Sequence, residues 1–296
     1  MAATPPPDRD TLEQAAPPGS SLDFVLRRVP AGRRNDVAAV AAFTGAVRRI
    51  PAQTQETAVA RAKLHWWRSE LVRILDGTGE HPLAPALQHA VTTYALPAAD
   101  LRAPLDETDR RLDGELRTDP HELTEWARHG GGAPLRLAAR VLGATETSEP
   151  YVTSLGAAIL LTRQLRLQGL AARRGHSDLP LATLESAGLS PDQPLLGADG
   201  LPADALITAL KQQTADVAAL FRQAITEAPR AASERQRLRP LTAYAAIHVA
   251  LLREIHRRGP AELVRGRISL PPLRKAWLAW RARLSDTELA SLQHGS

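Results

Sequence analysis

The chain of 296 residues has no cysteine, a single methionine and only three lysines, at positions 63, 211 and 275. Without cysteine there can be no disulfide and no thiolate metal site, a composition that fits a reducing compartment. With so little lysine, the formal charge of +5 is carried almost wholly by arginine. Such a balance favours phosphates, diphosphates or anionic membrane surfaces. Aromatic residues make up only 4% and form no stripe among the basic ones, so nucleic acid is not an expected partner. Long apolar runs are missing too. The longest, near 155–161, is broken by Arg163 and falls short of the roughly 20 residues that a spanning helix needs. The opening MAATPPPDRDTLEQAAPPGS lacks the apolar core of a secretory signal and reads as a flexible arm. The expectation is a cytoplasmic protein that touches a membrane at most peripherally.

No alternating strand pattern of useful length occurs, nor any internal repeat of fixed period, and no charged or Gly/Ser-rich linker divides the middle. The reading is therefore all-α, with an arm over 1–18, one helical domain over 19–285 and a tail over 286–296. Helical spacing of apolar residues predicts a helix from about Leu22, a break at Pro30-Ala31-Gly32, and a second helix over 35–50. Helices over 58–75, 87–94, 105–116 and 122–142 follow, then the apolar run from Leu155. The Pro/Gly/Asp-rich stretch 182–204 reads as a surface connection with a short helix at its beginning. Long amphipathic helices are predicted over 205–228 and 235–258. Gly130-Gly131-Gly132 and Pro134 should bend their helix by removing side chains and one donor.

The stretch Leu155–Pro180, LGAAILLTRQLRLQGLAARRGHSDLP, is the most informative. Leu161-Thr162, Leu165-Arg166, Gly169, Arg173, Gly175 and Leu179-Pro180 fit a frame close to LGxAxQLTNxLRDxGEDxRxGRxYLP. Further motifs lie in order along the chain: Ser20-Ser21, Phe24, Pro30, Arg34 and Phe43; LHWWRSEL with His81-Pro82; the kinked 122–142 segment; and a closing pattern with Arg265, Arg267 and Lys275 in place. Over roughly 20–283 the chain resembles the squalene/phytoene synthase family. That resemblance implies an isoprenoid synthase-type helical bundle around a central apolar cavity, with Phe24, Phe43, Trp126 and Leu161 as candidate cavity residues. Active members of the family join two prenyl diphosphates head to head, and two aspartate-rich segments hold Mg²⁺ at the cavity mouth.

Those aspartates have a physical purpose. Mg²⁺ must bridge the diphosphate to protein oxygen ligands and neutralise charge as the carbon–oxygen bond ionises. Here the positions that the resemblance assigns to acidic residues hold Arg48 and Arg49 in the first segment, and Leu167, Leu170 and Ala171 in the second. No Mg²⁺ ligand, no other cofactor and no catalytic residue is therefore expected. Arginine can instead contact phosphate oxygens directly, which makes Arg48, Arg49, Arg166, Arg173, Arg174 and Arg265 candidate diphosphate or anion ligands. Two functions stay open. One is a degenerate, non-catalytic family member that binds a prenyl or lipid-like ligand or a protein partner, such as an active paralogue. The other is an active prenyltransferase making a presqualene, squalene or phytoene type product by a modified mechanism.

Other clusters carry less. Asp106, Asp109 and Asp113 share a helix side, but Arg110, Arg111 and Arg117 lie among them, so a salt-bridged face is favoured over a substitute Mg²⁺ site. The nine histidines show no HExxH spacing. Along 272–284, Trp277, Trp280 and Leu284 fall near one side with Arg274, Lys275, Arg281 and Arg283 around them. A docked terminal helix is favoured there over one lying on an anionic bilayer.

Overall fold

The computed structural model describes residues 13–54, 56–113, 119–173, 177–190, 193–197, 200–290 and 292, and every regular element among them is a helix. After a short helical stretch at 13–15, α1 (Ser21–Leu26) is opened by a reciprocal cap. The Ser20 hydroxyl accepts the Asp23 amide at 3.1 Å, and the Asp23 carboxylate accepts the Gly19 amide at 2.9 Å. Then come α2 (Ala31–Gln53) and α3 (Thr57–Asp76), the latter ended by Gly77 at φ 83°. Next are α4 (Ala84–Tyr94), α5 (Ala98–Leu112) and α6 (Pro120–Val141). Asp119 caps α6 by accepting the Glu122 amide at 2.8 Å.

The chain continues through α7 (Glu149–Leu165), α8 (Gln168–Arg173), α9 (Leu181–Ser186), α10 (Asp204–Thr226), α11 (Ala232–Arg237) and α12 (Arg239–Arg258). It closes with α13 (Ala261–Arg265), α14 (Pro272–Arg281) and α15 (Asp286–Ala290). At the centre lies α7, which is apolar on nearly every side and packs against α6, α10 and α12. Its closest neighbour is α6. A Cβ on Gly131 or Gly156 would collide with the other's carbonyl, so these two glycines let the backbones touch.

Two sequence motifs turn out to be packing devices. Phe43 of α2 is fully buried and meets Trp67 of α3 edge-on at 5.6 Å between ring centroids, a burial that contributes on the order of 2–3 kcal/mol. Glu70, fully buried in the LHWWRSEL segment, accepts the amides of Glu80 and His81 at 2.7 Å each and pairs with Arg73. It thereby fixes the turn at His81-Pro82 and sets the His81 ring 4.7 Å from Trp67.

The structure alters two expectations and gives a third its context. The predicted helix over 235–258 is two helices, because Pro240 near the start of α12 offers no amide to the preceding turn, and the chain breaks at Leu238. The Gly130–Gly132 segment, expected to bend its helix, lies inside α6, which runs continuously from Pro120 to Val141. Its glycines allow close approach: Gly130 sits against the Glu107 side chain and Gly132 against Thr153. The stretch 286–296, expected to be a tail, contributes α15, which packs on α10 and α12 with Leu289 and Leu292 buried.

Candidate anion-binding site

The arginines singled out from the sequence fall into separate networks. Arg48 of α2 is nearly enclosed. Its Nε donates to Glu107 at 2.7 Å and another guanidinium nitrogen donates to the Gly130 carbonyl at 2.7 Å, so it ties α2, α5 and α6 together. Arg49 donates to the Gln14 carbonyl at 2.8 Å, and its pKa is lowered by burial. Arg173 donates to the Val264 carbonyl. Arg265 is exposed and pairs with Glu262 at 2.6 Å, while Arg174 lies outside the described residues. Four of the six are thus occupied by protein acceptors.

Arg166 is different. It follows the last residue of α7, is largely buried, and its Nε has no hydrogen-bond partner. Burial comes first among the causes that press its pKa down to about 10, followed by the positive charges of Arg267 and Arg163; only Tyr244 acts in the opposite direction. Lys275 of α14 feels the same field, its pKa lowered by burial, Arg166 and Arg267. His248 of α12 is pressed down to about 3 by burial together with Arg163, Arg166 and Lys275, and it keeps a 2.8 Å contact to the Tyr244 carbonyl. Since a carbonyl only accepts, the His248 Nδ1 carries the proton.

Three further cations, Arg163, Arg267 and Lys275, thus share the neighbourhood of the buried Arg166 donor, and no carboxylate among the described residues offsets the field at Arg166, Lys275 or His248. The carbonyl end of α7 offers some partial negative charge to Arg163 and Arg166. It does not fill the Arg166 hydrogen-bonding position. A buried cationic group left unmatched is costly unless something anionic completes it. Phosphate oxygens supply the paired, charge-assisted geometry that guanidinium prefers.

Local structure explains the placement. Gly169 presses α8 so tightly on α13 that a Cβ there would overlap the Leu263 carbonyl, and the Arg173 bond to Val264 secures the same contact. The pair holds the segment leading to Arg267 next to the end of α7. Sequence reading selected Arg166 but passed over Arg163, Tyr244 and His248 as ligand candidates. Arg267 and Lys275 matched the closing pattern, which was the available signal; what set them facing Arg166 is the packing of α13 and α14.

The described residues do not suit the divalent ions that the family resemblance implies. Among the described residues no group of three or more His, Asp or Glu side chains could hold a metal. Arg48 is turned into a protein ion pair, and Leu167, Leu170 and Ala171 offer no oxygen ligand. The Asp106/Asp109/Asp113 face is taken up by arginine: Arg68 pairs with Asp106 at 2.9 Å and with Asp109 at 3.0 Å, and Arg61 pairs with Asp113. Of the candidate cavity residues, Phe43, Trp126 and Leu161 are buried in the apolar core, and Phe24 is half-buried beneath the Arg27 guanidinium.

A family model described as squalene/phytoene synthase matches residues 18–274. Among solved structures, the chain is similar to the squalene synthase HpnC from Alicyclobacillus acidocaldarius, with a TM-score of 0.70 and 19% identity over 85% of this chain and 92% of that one. It is also similar to a dehydrosqualene synthase in complex with ligand, with a TM-score of 0.72 and 16% identity over 92% of each chain. A third is YisP from Bacillus subtilis, with a TM-score of 0.63 and 17% identity over 92% of this chain and 96% of that one. Comparison with curated proteins gives no match.

Proposed function

Because the chain belongs to the squalene/phytoene synthase family, we propose that it uses the family's helical shell to bind a prenyl diphosphate or similar lipid-like anion through arginine. It does so without a divalent-ion centre and without carrying out the head-to-head condensation. The observation that carries this reading is Arg166, a largely buried side chain whose enclosed Nε has no partner, in the field of Arg163, Arg267 and Lys275. Ionising a diphosphate would require those groups to stabilise the departing charge and to control a carbocation as well. A binding role requires only that the anion complete their hydrogen bonds.

Calorimetric titration with pyrophosphate and with farnesyl diphosphate, each in EDTA and in Mg²⁺, tests the proposal. Binding of equal strength in both buffers, lost in Arg166→Ala, is the expected result. A strict Mg²⁺ requirement would sink it. So would a condensed hydrocarbon product from farnesyl or geranylgeranyl diphosphate whose formation Arg166→Ala abolishes, since that outcome favours the active prenyltransferase.

A further inference from the structure

The short helix α14 is docked by one face and bare on the other. Leu278 and Ala279 are buried, and on the same side Lys275 reaches inward to donate to the Gly19 carbonyl at 3.2 Å. At about 100° per residue, Leu273, Trp277 and Trp280 fall within an arc of about 60° on the opposite side. They are 86%, 51% and 63% exposed, although tryptophan is a residue that folding normally covers. Two of the chain's five tryptophans thus stand side by side in water.

Beside this stripe lies a cleft of about 490 Å³ lined by Arg235, Arg239, Arg281 and Arg283. Arg239 donates to the Trp280 carbonyl at 3.1 Å, and the Arg281 guanidinium lies over the Trp277 ring at 5.3 Å, so cleft and stripe form one surface. Arg274 flanks the helix on the same side as Arg281. Among the acids, Glu288 pairs with Arg281 at 3.5 Å, Glu254 already serves Arg257 and Arg258 besides Arg274, and Glu234 is turned to Arg237 and the Thr145 amide. The surface is therefore apolar and aromatic along a line, with a net positive border.

We propose that this face docks on an anionic lipid bilayer, Leu273, Trp277 and Trp280 entering the headgroup boundary while the arginine cleft receives lipid phosphates. Charge complementarity selects this occupant: tryptophan prefers the membrane–water interface, and arginine beside it finds phosphate there. A second copy of the chain would set one arginine border against another. No helix among the described residues is long and apolar enough to cross a membrane, so the contact is peripheral. The inference stands independently of what Arg166 binds.

Flotation of the full chain with vesicles of phosphatidylcholine alone, and of phosphatidylcholine mixed with phosphatidylglycerol, provides the test. The chain should float with the mixed vesicles and not with the neutral ones, and brominated acyl chains should quench its tryptophan emission. Trp277→Ser/Trp280→Ser should lower partitioning about tenfold or more while circular dichroism and Tm stay unchanged. Arg235→Glu/Arg283→Glu should abolish the preference for the anionic vesicles. Failure of the native chain to float, equal flotation of the double serine variant, or a dimer in analytical ultracentrifugation that this variant dissolves would each overturn the proposal.

Discussion

Arg166 should make the empty protein less stable than it need be. Arg166→Met keeps the length of the side chain and removes the charge. The guanidinium pKa, pressed down to about 10 by burial and by the neighbouring Arg267 and Arg163, corresponds to roughly 3 kcal/mol of penalty on the charged form. Because the side chain retains some access to water, about 1–2 kcal/mol is the appropriate expectation. The sign follows from linkage. A cation whose pKa falls on folding binds its proton less well in the native state, so its cost is fully present at neutral pH and is relieved only as pH rises through about 10. Arg166→Met should therefore raise Tm by a few degrees in ligand-free buffer. Pyrophosphate in EDTA should then reverse the order. It adds about 2.7 kcal/mol to the native protein at a hundredfold excess over Kd, and nothing to the variant. Differential scanning fluorimetry of both proteins, with and without pyrophosphate, reads all four values. A lower Tm for ligand-free Arg166→Met would refute the reasoning, as would an equal pyrophosphate shift in both proteins.

Arg48→Met should behave in the opposite way, costing about 3–5 kcal/mol in urea unfolding because Glu107 stays buried without its partner, while pyrophosphate affinity is unchanged. Gly169→Ala should shift the urea midpoint strongly downward and weaken pyrophosphate binding together, since α8 cannot keep its contact with Leu263. Equal stability of this variant would show that the contact is not needed. His248, with a folded pKa of about 3 against an ordinary value near 6.5, binds its proton more readily when unfolded. Stability should fall as pH drops from about 6.5 toward 3, by up to about 1.4 kcal/mol per pH unit. His248→Asn should flatten that part of the unfolding profile, and an unchanged slope would count against the assignment.

Much of the helical order could be read in advance because it depends on local chemistry. Ser20, Asp119 and Gly77 terminate helices by bonds and dihedral angles that involve only near neighbours, and the apolar spacing of α3 or α10 records which face is covered. The break at Leu238 was missed because apolar periodicity continues across it and only Pro240 marks it. Sequence position also grouped Arg48 and Arg49, which stand at replaced acidic positions of the first motif, with Arg166, a kept position of the second. The partners of Arg48 and Arg173 come from distant segments, however. Glu107 lies 59 residues from Arg48 and Val264 lies 91 from Arg173, and nothing local signals such pairings.

The sequence by itself determined the all-helical bundle, the family frame and the identity of residues at the positions where acids were expected. Tertiary structure decided which arginines are spent on the protein's own acceptors and that, among the described candidates, Arg166 keeps a buried donor unpaired. It also decided that Trp277 and Trp280 face water while Lys275 turns inward. The physical reason is the same in both cases: a side chain's charge and shape are fixed by its own atoms, whereas its burial and its partners depend on which helices pack beside it.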